Sequence, residues 1–332
     1  MRLLVNLFLT QRSVIFQMGA AVFVSLAILA TPRAYADVYP NKPVRLIVPA
    51  TAGGTSDVIA RLLGASIQEK FGQTIVVENK PGASQAIGAA YVAKSPADGY
   101  TLLIVNSSFV ISPVLIKTLP YDLKELRPIS VLAVSPLAVI AGVQQPFTTM
   151  REFLTEAKNR PDGLFIGNSE STSRMMIELL KQQADVKLTQ VAYKGGAALL
   201  PAVMGGQVPT GVLGTVTAAQ LHKDKKLRML AVTSGSRSAF LPDVPTVAES
   251  GVPGFDMSVW FALMAPAEVP DSVVTRVHQM FSEALEDKSV KKRMGELGLD
   301  ILGTTPAEAA ATLNDEAQLW VTVAKSAGIK PE

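Results

Sequence analysis

Continuous apolar runs alternate along this chain with loops of small polar residues and with stretches of helical spacing, and no other feature narrows the fold as much. Residues 44–48 form an apolar run broken only by Arg45. The loop Pro49-Ala50-Thr51-Ala52-Gly53-Gly54-Thr55-Ser56-Asp57 follows. Val58, Ile59, Leu62, Leu63 and Ile67 then recur at helical intervals, with Arg61, Gln68 and Glu69 between them. Residues 74–78 predict a second strand, 89–93 continue a second helix, and 100–105 predict a third strand after the Asp98-Gly99 turn. Strands that are apolar throughout, rather than at every second residue, are buried on both faces. The pattern predicts an α/β fold with a mainly parallel sheet flanked by helices.

The pattern returns after residue 140, with a helix from Thr148-Thr149 to Ala157, a strand over 164–167 and a polar loop over 168–173. A helix over 175–183, a strand over 189–193, the turn Lys194-Gly195-Gly196, a helix towards Met204 and a strand over 227–233 complete it. No linker-like segment separates the two units, so they are expected to pack edge to edge as two lobes. Amphipathic helices over 273–285, 289–297 and 306–324 return to the first lobe. The expected division is residues 37–138 with 255–332 as lobe one, and 139–254 as lobe two.

Composition removes most chemistry. With no cysteine among 332 residues there are no disulfides, cysteine nucleophiles, iron–sulfur clusters, cysteine-built zinc sites or acylated-cysteine anchor. His222 stands in the charged turn Leu-His-Lys-Asp-Lys-Lys, and His278 beside the apolar helix face of Val274, Val277 and Phe281. There is no G-x-S-x-G and no P-loop, and the first loop reads Ala-Thr-Ala-Gly-Gly-Thr rather than G-x-G-x-x-G. Glu78, about where an acid would meet a dinucleotide ribose, reads instead as a solvated or locally paired carboxylate. The expectation is no catalytic residue, no metal and no cofactor.

The net charge of +3 comes from the first 36 residues, which hold Arg2, Arg12 and Arg33 and no Lys, Asp or Glu. Without them 28 basic residues face 28 acidic ones, so nothing in the charge points to nucleic acid. A basic start, an apolar run and Ala34-Tyr35-Ala36 predict a signal peptide over 1–36 and export to the periplasm. The alternative is a membrane anchor over 14–30, a run at the short limit for a span and interrupted by Gln17.

Loops of Gly, Ser, Thr and Asn recur between strand ends and helix starts, at 51–57, 82–87, 106–108, 168–173 and 194–197. In an open parallel sheet such loops lie beyond the carboxyl ends of the strands, where ligands bind, and helix starts there favour an anion. Each loop alone also reads as an ordinary helix cap.

Val48-Pro49-Ala50-Thr51-Ala52-Gly53-Gly54-Thr55-Ser56-Asp57, Val77-Glu78-Asn79-Lys80-Pro81-Gly82-Ala83 and Pro96-Ala97-Asp98-Gly99-Tyr100 carry a resemblance. Leu119-Pro120-Tyr121-Asp122, Tyr193-Lys194-Gly195-Gly196, Gly205-Gly206-Gln207-Val208 and Leu241-Pro242-Asp243-Val244-Pro245-Thr246 extend it along the chain. The chain resembles the Bug family of periplasmic solute-binding proteins, among them receptors of tripartite tricarboxylate transporters. The resemblance implies a two-lobe Venus-flytrap fold that closes on a small organic carboxylate (a di- or tricarboxylate, an amino acid or an aromatic acid). It also implies delivery to a membrane permease, without catalysis; the missing lipobox cysteine suits free diffusion, and a freely diffusing receptor is expected to be a monomer. A sensory protein reporting to a membrane histidine kinase needs the same cleft and stays open as the alternative.

Carried over by position, the ligand residues are Thr51, Ala52, Gly54, Thr55, Ser56 and Asp57 from the first loop, Ser84, Gln85 and Ala86 from the second, and Asn106 and Ser107 from the third. The second lobe supplies Ser169, Ser171, Thr172, Arg174, Tyr193, Lys194 and Gly195. Asp57, an anion, suits capping or bracing better than a carboxylate contact. Ala50 stands where the family has an aromatic residue, Ser84-Gln85-Ala86 where it has Gly-Gly-Asn, and Arg174 where histidine is common. Arg174 either forks onto the ligand or pairs with Glu170 or Glu178 on the helix surface.

Overall fold

The computed structural model describes residues 39–332; the expected signal peptide lies outside the described residues. The fold below is that of the unit Lys42–Glu332. It opens with β1 (Val44–Val48), α1 (Thr55–Phe71), β2 (Ile75–Asn79), α2 (Ala86–Ala93), β3 (Thr101–Asn106) and α3 (Ser108–Leu115). β1 pairs in parallel with β2 and β3, Leu46 lying opposite both Val77 and Leu102. The apolar residues of β1 and β3 are all buried, which is why these strands read as unbroken runs. Arg45 escapes sideways and forks onto Glu78 at 2.6 and 2.9 Å, with a further bond to the Tyr91 hydroxyl. Glu78 is therefore locally paired.

β4 (Leu126–Gly142) runs through two sheets. Its first part, to Pro136, pairs with a late strand, and from Leu137 it changes partners. Next come α4 (Met150–Asn159), β5 (Leu164–Asn168), α5 (Ser171–Ala184), β6 (Leu188–Ala192), α6 (Gly196–Met204), β7 (Thr210–Gly214), α7 (Thr215–Lys223) and β8 (Leu227–Val232). β6, β5 and β7 are parallel, while β4 lies antiparallel between β7 and β8. β9 (Ser258–Pro266) inserts between β3 and β4, antiparallel to both. Then follow α8 (Asp271–Leu285), α9 (Lys288–Glu296), β10 (Asp300–Ile301), which pairs with β4, and α10 (Pro306–Ser326).

The α/β fold is as expected, but the parallel character holds only for β2-β1-β3 and β6-β5-β7; as wholes the sheets are mixed. The reason is β4 and β9, which run antiparallel to their neighbours at the middle of the sheet. β4 gave no clean strand signal because it contains Pro128 and Pro136. Pairing slips by a residue just after Pro128, and the partner strand changes just after Pro136. Missing N–H groups thus fall where the ladder is irregular or changes hands.

The C-terminal helices pack on elements of the first sheet. Lys70 on α1 donates to the Glu283 carbonyl on α8 at 2.7 Å, and α10 lies against α3 and β4. The chain's two tryptophans, Trp260 on β9 and Trp320 on α10, both donate their indole N–H to the Glu316 carboxylate. Burial raises the Glu316 pKa to about 7, although the two indole bonds favour the anion. The unfolded chain ionises this group near 4.5, so stability falls as pH rises between 4.5 and about 7, and levels off above. The expected loss over that window is on the order of 3 kcal/mol. Native tryptophan fluorescence should titrate with a midpoint near 7, and Glu316→Gln should remove the transition. A wild-type trace flat through neutrality contradicts the assignment.

Candidate functional site

The carboxyl ends of β1, β3, β5 and β7 and the crossover of β4 and β9 surround a cavity of about 210 Å³. Its lining comes from Ala50, Thr55 and Ser56 before and at the start of α1, Asn106 at the end of β3, and Ser135, Pro136 and Leu137 at the β4 crossover. Facing them are Glu170 before α5 and Gly214, Val216 and Thr217 around the start of α7, with Val259, Phe261 and Leu297 completing the wall. The volume suits a compact metabolite.

The first loop is braced by Asp57. One of its oxygens accepts the Gly53 amide at 2.9 Å and Arg61 Nε at 3.0 Å, and the other accepts Asn79 Nδ2 at 2.9 Å. Burial pushes the Asp57 pKa up, but the bonds from Arg61, Gly53 and Asn79 outweigh it and hold the carboxyl below its usual range. Asn79 also reaches the Ala50 carbonyl at 3.1 Å. The loop thereby presents Thr55 and Ser56 to the cavity, where the first N–H groups of α1 have no partner in their own helix.

Asn106 is oriented by what bonds it. Its Oδ1 accepts the Ser108 amide at 3.0 Å and the Gln85 side-chain amide at 2.5 Å. A backbone N–H can only donate, so the atom it meets must be the oxygen, and the Asn106 NH₂ is what remains for the cavity. Gln85 completes the clamp by accepting the Asn106 N–H at 3.1 Å. Ala83, Ser84 and Gln85 all have φ between 46° and 79°, a left-handed stretch that favours glycine. Each costs on the order of 1 kcal/mol. The Gln85 clamp and a 3.1 Å bond from Ser112 Oγ to the Ser84 carbonyl offset that strain.

On the opposite wall, Ser173 Oγ accepts the amides of Ser169 and Glu170, both at 3.0 Å, and donates to the Glu170 carbonyl at 2.9 Å. This fold of the loop places Glu170 in the cavity wall at the start of α5. Glu170 is exposed to the open space of the cleft. Protein nevertheless surrounds its carboxyl and pushes the pKa up by desolvation. No Lys, Arg or His belongs to the lining.

Of the residues expected from sequence, Thr55, Ser56 and Asn106 reach the cavity lining. Thr51 and Ala52 are exposed outside that lining, and Gly54 caps α1 with its amide on the Thr51 carbonyl at 3.2 Å. Asp57 and Gln85 support the wall from behind. Ser84 is exposed and Ala86 buried at the start of α2. Ser107 is fully buried, its hydroxyl accepting the Trp260 amide at 3.0 Å. Thr172 meets Ser108, hydroxyl to hydroxyl, at 3.2 Å, and Ser169 Oγ lies 3.4 Å from the Val212 carbonyl. Ser171 is half-buried in the first turn of α5. Tyr193 packs on the core of the second sheet, and the exposed Lys194 with Gly195 turns the chain into α6.

Arg174 lies outside the lining. Among the described residues its guanidinium makes no ion pair, and Glu178 pairs instead with Lys181 at 2.8 Å. Sequence reasoning missed Ser135, Pro136, Leu137, Val259, Phe261 and Leu297, and named Glu170 only as a partner for Arg174. It also missed Gly214-Thr215-Val216-Thr217, which carries the same signal as the other loops: small polar residues directly after an apolar strand.

Comparison with known proteins agrees with this geometry. The family described as the tripartite tricarboxylate transporter family receptor matches residues 59–329. Protein BugT of Bordetella pertussis is 32% identical over 93% of this chain and 96% of its own. The R. palustris protein Rpa4515, solved with adipate, superposes with a TM-score of 0.77 at 34% identity, over 89% of this chain and 100% of that one. MatC (Rpa3494) from Rhodopseudomonas palustris, solved with bound malate, gives 0.72 at 28% identity, over 86% and 99%. The chain belongs to the Bug family of tripartite tricarboxylate transporter receptors, and its fold is the two-lobe fold of periplasmic binding proteins.

Proposed function

We propose that this protein is a periplasmic receptor that closes two lobes on a small organic carboxylate and delivers it, unchanged, to a tripartite tricarboxylate-type permease. One observation carries the reading: the cavity where the sheets meet is lined by hydrogen-bond donors left over from the fold. They are the Asn106 NH₂, the hydroxyls of Thr55 and Ser56 at the start of α1, and that of Thr217 in the first turn of α7. Donors at the positive ends of helices suit an anion. The relatives solved with adipate and malate support a carboxylate. We place the lobes at Lys42–Pro136 with Ser258–Glu332, and at Leu137–Met257, so that β4 and the segment entering β9 form the hinge.

Thermal unfolding of ligand-stripped protein against a panel of acids tests the reading. The panel holds succinate, glutarate, adipate, malate, citrate, phthalate, benzoate, nicotinate and amino acids. A ligand at a hundred times its dissociation constant adds about 2.7 kcal/mol to the folded state. At least one acid should raise the midpoint by several degrees and be recovered unchanged. A flat panel, or turnover of the acid, overturns the proposal.

A further inference from the structure

Resting on the carboxylate-receptor reading, we infer that Glu170 makes the cleft select a carboxylate that also carries a cationic nitrogen, in preference to a dicarboxylate. The two walls differ in chemistry. One offers the Asn106 NH₂ and the neutral hydroxyls of Thr55 and Ser56; the other sets a carboxylate, Glu170, beside the Thr217 hydroxyl. Arg174, the nearest arginine along the chain, is not part of the lining, and no other cationic side chain is. A dicarboxylate bound here places a second anion in a closing cleft that already holds Glu170, with no cation to compensate either. A zwitterion matches both walls: its carboxylate takes the donors, and its ammonium makes a charge-assisted hydrogen bond with Glu170. Phe261 adds an aromatic ring to the same cavity, a surface that tolerates an alkylammonium group.

Calorimetric titration of the wild-type protein with matched pairs tests this. β-Alanine pairs with succinate, γ-aminobutyrate with glutarate and δ-aminovalerate with adipate, the nitrogen standing where the second carboxyl carbon does; α-amino acids and glycine betaine extend the zwitterion series. The best zwitterion should bind at least about tenfold more tightly than the best dicarboxylate. Glu170→Gln should weaken the zwitterion by a similar factor and strengthen the dicarboxylate, reversing the order. A wild-type preference for the dicarboxylate overturns the inference and leaves the receptor reading standing. An order unchanged in Glu170→Gln overturns the role of Glu170. Absence of binding by both series overturns the receptor reading together with the inference. The wild-type ranking decides even where the variant folds poorly.

Discussion

Asn106→Asp should lower carboxylate affinity by about a hundredfold or more while leaving the fold intact. The substitution is isosteric, and an aspartate oxygen can still accept the Ser108 amide and the Gln85 side chain. Only the atom facing the cavity changes, from an NH₂ donor to a carboxylate oxygen. The ligand then loses a hydrogen bond to a charged group, worth about 1.5–3 kcal/mol, and gains a like charge in a confined space. Calorimetry with whichever acid gives the largest thermal shift measures the effect, and circular dichroism checks the fold. Asn106→Ser, whose shorter hydroxyl does not reach where the NH₂ stood and which adds no charge, should lose about tenfold. Undiminished affinity in Asn106→Asp would move the ligand's carboxylate off this wall.

The second large effect falls on stability. Gly163 has φ +72°, and a Cβ there would lie 2.2 Å from the Lys187 carbonyl oxygen and 2.7 Å from its carbon. These are backbone atoms, and that same oxygen accepts the Leu164 amide at 3.2 Å where β5 meets the start of β6. No flexible side chain can swing aside. Gly163→Ala should therefore cost about 3 kcal/mol or more, combining left-handed strain with overlap that must open the sheet edge. Gly72→Ala is the control: φ there is +65°, but nothing lies within 4 Å of the added carbon. It should cost only about 1 kcal/mol. Denaturant unfolding of both variants separates the two contributions, and equal losses would mean that the sheet absorbs the clash.

How far the sequence could be read depended on whether a residue's role was local. β1 and β3 were legible because strands buried on both faces are apolar at every position. The starts of α1 and α5 were legible from small polar residues after such runs. β4 was not, since its prolines are accommodated only by irregular pairing with strands far along the chain. The same cause hid much of the cavity: Ser135 to Leu137, Val259 and Phe261 reach it because β4 and β9 pair there, at the point where β4 changes partners. Asp57, read from the sequence as a brace, and Ser107 and Gln85, read as ligand residues, show the converse. Each is polar in a loop that resembles a ligand site, and each spends its hydrogen bonds on Gly53 and Asn79, on Trp260, or on Asn106. Whether a polar group is left over depends on partners that no local window contains.

The place of β9 between β3 and β4 has a consequence for how the chain is made. The Ser107–Trp260 bond ties the residue after β3 to β9 across 153 residues, and every strand of the second sheet lies within that span. The second sheet can thus be completed while β3 and the first half of β4 still wait for the strand that joins them. Closing so long a loop costs little more entropy than closing one of half the length, yet such remote pairing slows folding. Until it happens, two apolar strand edges remain open to pairing with other chains. Folding is therefore expected to pass through an aggregation-prone stage that ends when Ser258–Pro266 joins the sheet, and a chain truncated before β9 should aggregate.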